Sequence, residues 1–225
     1  MSVHLNREIA HLKKVILEMC ARTEQSVQDA SAALSERNDA LAAHVVAGDD
    51  RIDRFEVNIE EDCLKILALH QPVASDLRFI VAVMRLNRDL ERIADLAVKI
   101  AERAIALNRQ VPLDGAVDFG SLAQKTKSML RRSIDALINL NAAMAREVIA
   151  ADDEVDAENR EIVDRVKDLI RRRPADLDAF LHLISVARHF ERIADHAVNI
   201  AQDVVYLLEG RIIRHPALDA PAAPS

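Results

Sequence analysis

Residues 90–101, LERIADLAVKIA, return one hundred positions later as residues 190–201, FERIADHAVNIA, with nine of the twelve positions unchanged. Around each copy the apolar residues fall alternately three and four apart. In the first they are Val83, Leu86, Leu90, Ile93, Ala97, Ile100, Ala104 and Leu107; in the second, Leu183, Val186, Phe190, Ile193, Ala197, Ile200, Val204 and Leu207. Such spacing is a heptad-like helical seam. Its return in register marks a duplicated unit, each copy ending in a helix roughly 50 Å long.

Glycine and proline bound the remaining elements. Gly48, Gly115, Gly120 and Gly210, with Pro72, Pro112 and Pro174, leave long stretches free of any breaker, which suits helices and not strands. The pattern predicts six helices at about 4–47, 50–70, 76–108, 118–150, 153–172 and 176–209. Residues 47–53 (AGDDRID) resemble residues 150–156 (AADDEVD), and the Pro72–Leu77 turn resembles 172–177. Ser75 or Asp76, and Asp176 in the second copy, suit the caps of the helices that follow. The fold expected is all-α, two tandem pseudo-repeated three-helix bundles: residues 1–112, then 113–210, with 211–225 as a mobile Pro- and Ala-rich tail.

Composition narrows the function. Half of the 225 residues are apolar, 3% are aromatic, and 30 basic against 37 acidic residues leave a net charge of −7. Nucleic-acid binding is not expected of such a chain. The arginine spots at 131–132 and 171–173 read as charge compensation at helix ends. Cys20 and Cys63 form neither a disulfide framework nor a metal-type spacing, which points to a reducing cytoplasm. With no secretory pattern at the start and no bilayer-length apolar run, any membrane association is expected to come through a partner.

The charged half of the repeat carries the candidate chemistry. With Leu90, Ile93 and Ala97 in the seam, Glu91 and Asp95 fall on the opposite face, one turn and about 40° apart, and Glu191 and Asp195 repeat this. Two carboxylates four residues apart repel by roughly 0.2–0.5 kcal/mol. Either neighbouring arginines absorb the repulsion on a solvated face, or a cation does. The cation reading gains from the retention of ERIAD in both copies while Asp89 and Lys99 become His189 and Asn199. Further acidic pairs at Asp49/Asp53 and Asp152/Asp156 give each half a second helix with oxygen ligands, the chemistry hard or borderline cations require. Of the Glu-x-x-His motifs that mark di-iron bundles, the chain has one, Glu8–His11. His196 sits beside the seam and reads as a packed histidine, and no catalytic constellation is evident among His70, His182 and His189.

Taken together, the ERIAD motifs, the Pro72–Arg78 turn PVASDLR and the Gly210–His215 ending GRIIRH resemble the PhoU family along essentially the whole chain. That resemblance implies a cytoplasmic all-α protein, commonly a homodimer, exerting negative control over phosphate uptake and the phosphate-starvation response. It implies two partners, the ATP-binding subunit of the phosphate ABC transporter and a membrane-bound sensor histidine kinase. It also implies surface clusters of iron, zinc, manganese or magnesium, with Glu91, Asp95, Glu191 and Asp195 as carried-over ligands. Asp178 stands where the first copy has Arg78. Lys99, one turn past Asp95, is expected to compete for that carboxylate, whereas Asn199 is a neutral side chain able to accept a metal. The second site is therefore expected to bind metal better. A carboxylate-bridged metalloenzyme and a metal-free helical scaffold are the alternatives.

Overall fold

The computed structural model describes residues 3–110, 117–210 and 213. Among them are seven α-helices: α1 (Val3–Ser35), α2 (Asp39–His70), α3 (Ala74–Asn108), α4 (Gly120–Ile138), α5 (Ala142–Ala150), α6 (Asp152–Arg172) and α7 (Leu177–Glu209). A single 3₁₀ turn, Pro174–Asp176, precedes α7. Helices α5 and α6 meet at Ala151, whose backbone is itself right-handed helical, so the seven helices make six rods. The expected tail lies outside the described residues apart from Ile213.

In the first half α1, α2 and α3 pack on one another; in the second, α4, α5–α6 and α7 do the same. The two three-helix bundles join through α3 and α7. These helices run antiparallel, since Arg85 pairs with Asp203 and Asp89 with His196. Ala94, Ala97, Ala101, Ala194, Ala197 and Ala201 are all buried there, and small side chains let two long helices approach closely. Both seams are core: Leu90, Ile93, Ile100, Phe190, Ile193 and Ile200 are wholly buried.

The first and fourth expected helices end earlier than the sequence suggested, and for the same reason. Asn38 and Asn141 are N-caps, each side chain accepting a hydrogen bond at 3.0 Å from the backbone N–H three residues on. Before them Arg37 and Leu140 take left-handed conformations, at φ 51° and 49°. That conformation costs a non-glycine residue about 1–2 kcal/mol. At Arg37 it is offset by the guanidinium, which donates to the carbonyls of Leu107, Asn108 and Gln110 at 3.0–3.3 Å and so caps the end of α3. Gly48, expected at a break, lies inside α2. One glycine costs a helix only about 1 kcal/mol, less than the packing of Val45 and Ile52 on either side supplies. Helix α3 starts at Ala74, so Ser75 and Asp76 lie in its first turn and do not cap it; Asp176 borders α7 but makes no side-chain cap bond. No helix among the described residues is long and apolar enough to cross a membrane.

Candidate functional site

The shift of the α1–α2 break decides the surroundings of the ERIAD carboxylates. Because residues 39–70 form one continuous helix, Asp49 and Asp53 ride along α3 opposite Asp95 and Glu91. The charge of Asp95 acts on Asp49, and those of Asp53 and Glu56 act on Glu91. In the second half Asp195, Asp156 and Glu191 act on Asp152, and Asp156 acts on both Glu191 and Asp195. All eight carboxylates singled out in the sequence therefore gather into two groups of four.

The expectation that Glu91 and Asp95 point away from packing is corrected. Glu91 retains 13% of its side-chain exposure and Asp95 29%. A rod in a bundle has more than one packed stripe, and α3 meets α1, α2 and α7 on different faces. The seam accounts for one of these; the carboxylate face borders another.

Two further residues belong to the groups. Glu56 lies seven residues after Asp49, and Asn159 stands in the matching place after Asp152. Asn159 is buried and hydrogen-bonds to Glu191. The offset of 103 that links Asp49 to Asp152 also links Glu56 to Asn159, and that was the signal available.

Crowding leaves its mark on ionisation. Burial, then neighbouring carboxylates, pushes Asp49 up to about 6. Asp152 is pushed up to about 6 by burial and by Asp195 and Asp156. Burial first, with like charge behind it, also raises Glu91, Glu191 and Asp195. Asp152 Oδ1 is buried without a hydrogen-bond partner, while the buried Glu91 Oε2 has an ion pair with Arg92 at 3.3 Å. Like charges held together, with an unpartnered oxygen in the second group, are a donor set suited to a hard or borderline cation. Among the described residues, however, no three His, Cys, Asp or Glu side chains are already drawn into a metal-holding arrangement. A cation would have to pull the carboxylates inward.

The two groups differ in their competing cations. Arg92 reaches Glu91 at 3.3 Å and Asp95 at 3.2 Å, while Lys99 lies 3.7 Å from Asp95. Asn199 is not turned toward Asp195: its amide donates to Asp89 at 3.3 Å, beside the 2.8 Å bond between Asp89 and His196. Asn199 is thus engaged in the α3–α7 contact, a correction to its expected use as a ligand. Its neutrality still leaves Asp195 without the counterpart of Lys99.

Other candidate residues are engaged elsewhere. Glu8 bonds His70 at 2.9 Å, and His11 lies 3.7 Å from Asp62, which ties the lone Glu-x-x-His motif of α1 to α2. Burial pushes the Cys20 and Cys63 thiols up to about 12, so neither supplies a thiolate nucleophile. The basic spots pair locally: Arg132 with Glu147, Arg171 with Asp168 and Arg173 with Asp176.

A pH-dependent stability follows from Asp152. Its folded pKa lies above its unfolded value, so the folded state holds the proton more tightly. The associated stability is fully present below about pH 4 and is lost as pH rises through about 6. In metal-free protein, Asp152→Asn should raise stability at pH 7.5 by about 1 kcal/mol, after discounting for solvent screening. Thermal melts should show this as a gain of about 2–4 °C, vanishing at pH 4. An equal gain at both pH values would mean the carboxylate is not strained by its neighbours.

A family model described as the PhoU domain matches residues 16–104 and again 119–204. The phosphate-specific transport system accessory protein PhoU homolog of Aquifex aeolicus is 37% identical over 211 residues, covering 94% of this chain and 96% of its own. A protein of the same description from Pseudomonas aeruginosa is 36% identical over 218 residues, covering 96% of this chain and 90% of its own. The crystal structure of PhoU from Pseudomonas aeruginosa superposes with a TM-score of 0.86 at 35% identity, covering 92% of this chain and 99% of that one.

Proposed function

We propose, from the premise that this chain belongs to the PhoU family, that it is a non-enzymatic accessory regulator of phosphate uptake. The observation that carries the reading is the near-full-length correspondence, through both halves, with relatives named as accessory proteins of phosphate-specific transport. The protein acts by contact. Its partners are the ATP-binding subunit of the phosphate ABC transporter and a sensor histidine kinase, and it works in the cytoplasm as a homodimer. Through them it restrains uptake and the phosphate-starvation response when phosphate is plentiful.

Each half holds a metal site built from one acidic pair on α3 or α7 and one on the rod beside it. Glu91, Asp95, Asp49 and Asp53 form the first; Glu191, Asp195, Asp152 and Asp156 form the second. Iron, zinc, manganese and magnesium all suit such oxygen donors. A bound cation would neutralise the like-charge repulsion and fix the spacing of the two helices. The salt bridges of Arg92 favour a second reading for the first site alone, a scaffold held together without metal.

Removing the gene tests the regulatory role. A starvation-responsive reporter should become active in phosphate-replete medium, and the tagged protein should co-purify with the transporter ATPase and the kinase. A reporter that stays repressed, with neither partner captured, would defeat the reading.

A further inference from the structure

The antiparallel crossing of α3 and α7 relates each position to one a hundred residues away, so its two ends should be chemically alike. They are not. At one end the charges are matched: Arg85 meets the buried Asp203 at 3.4 Å, and Asp89 accepts from His196 and Asn199. At the other end the equivalents of Asp89 and Asp203 are His189 and Arg103, that of Asn199 is Lys99, and that of Arg85 is Ser185. Both carboxylates have become nitrogen-bearing side chains.

These side chains act on one another's charge. Arg103, Lys99 and Arg192 all act on His189, and Arg103 acts on His182 one turn-pair earlier on α7. Two nitrogens lack a partner: Arg103 Nε and His189 Nδ1 are buried without a hydrogen bond. Buried polar atoms are ordinarily satisfied. The acids that bear on this end are Asp178, beside His182, with Asp95, which holds Lys99 at 3.7 Å, and Asp49, on which Lys99 also acts; none takes the place that Asp89 and Asp203 occupy opposite.

We propose that this end of the crossing binds a small tetrahedral oxyanion, such as inorganic phosphate, in place of the missing carboxylates. Arg103 Nε and His189 Nδ1 are its principal donors, with Lys99 and His182 at its edge. A guanidinium and a lysine ammonium give such anions short, charge-assisted bonds, and an imidazole N–H adds a neutral one. The site borders the first carboxylate group through Lys99, which pairs with Asp95 and acts on Asp49, but it does not depend on that group holding metal.

Calorimetric titration of the metal-stripped full chain with inorganic phosphate at low ionic strength tests this. One saturable site per chain is expected, with sulfate competing. Arg103→Ala and His189→Ala should each weaken binding about tenfold or more, while Glu91→Ala and Glu191→Ala change it less than about twofold on the same scale. Arg103→Glu guards against simple misfolding. It places a carboxylate where the opposite end has Asp203, and should abolish phosphate binding while keeping or raising the melting temperature. No saturable binding, binding untouched by Arg103→Ala, or binding lost with Glu91→Ala would each overturn the assignment.

Discussion

Replacing Phe190 by alanine should destabilise the protein by about 3–5 kcal/mol, as large-to-small truncations of wholly buried aromatics do. The ring is fully buried on α7, with the Phe119 ring centroid 6.5 Å away. Its carbonyl accepts a hydrogen bond from the Thr126 hydroxyl of α4 at 3.4 Å. It also borders a cavity of about 570 Å³ shared with Leu107 of α3 and Leu183 of α7. Truncation enlarges that space at the junction of the two bundles, where little can collapse to fill it. For a chain of this length the melting temperature should fall by about 6–20 °C, and both halves should unfold together because α3 and α7 are one contact. A loss below about 1 kcal/mol would show that the second copy of the seam is not core. An unchanged transition for the first half would show that the halves unfold independently.

The seam was legible because periodicity is local. Leu90, Ile93, Ala97 and Ile100 announce a buried stripe without reference to anything else in the chain, and their duplicates a hundred residues on announce a second. What lies beside the other faces is not local. Nothing in ERIAD says that α2 runs along α3, so Glu91 could be given a direction but not a neighbour. The misplaced break at Gly48 hid that neighbour. A glycine is a conspicuous mark, yet in the middle of a well-packed helix its cost is small, whereas Asn38 and Asn141 are modest marks that carry real caps. The Asn38 cap places Asp49, Asp53 and Glu56 on one rod facing α3. The charge reversal across the α3–α7 crossing was half visible, in Asp89 against His189 and Lys99 against Asn199. Its meaning depended on knowing that the two helices run antiparallel against each other.

The same asymmetry predicts an order of metal affinity at the two proposed sites. To take up a cation the first site must part Arg92 from Glu91 and Asp95, and Lys99 from Asp95. The second site presents Glu191 beside Asn159; Arg188 acts on Glu191 and Arg192 on Asp195, but its carboxylates Asp152, Asp156 and Asp195 face no lysine in the position of Lys99. Exposed ion pairs are individually weak, about 0–1 kcal/mol each, but three of them on two carboxylates compete directly with the metal for the same oxygens. Glu191→Ala should therefore remove more bound metal than Glu91→Ala when each variant is purified in metal-replete medium and analysed for its elements. Lys99→Asn should raise the affinity of the first site for manganese about tenfold, the scale of one removed competing charge at a partly buried carboxylate. Because the carboxylates stay ionised more readily as pH rises, the gain should be larger at pH 7.5 than at pH 5.5, where Asp49 retains its proton. A greater loss of metal from Glu91→Ala would reverse the order. Equal manganese affinity in the Lys99→Asn variant and the parent would mean that the lysine does not hold Asp95 away from metal.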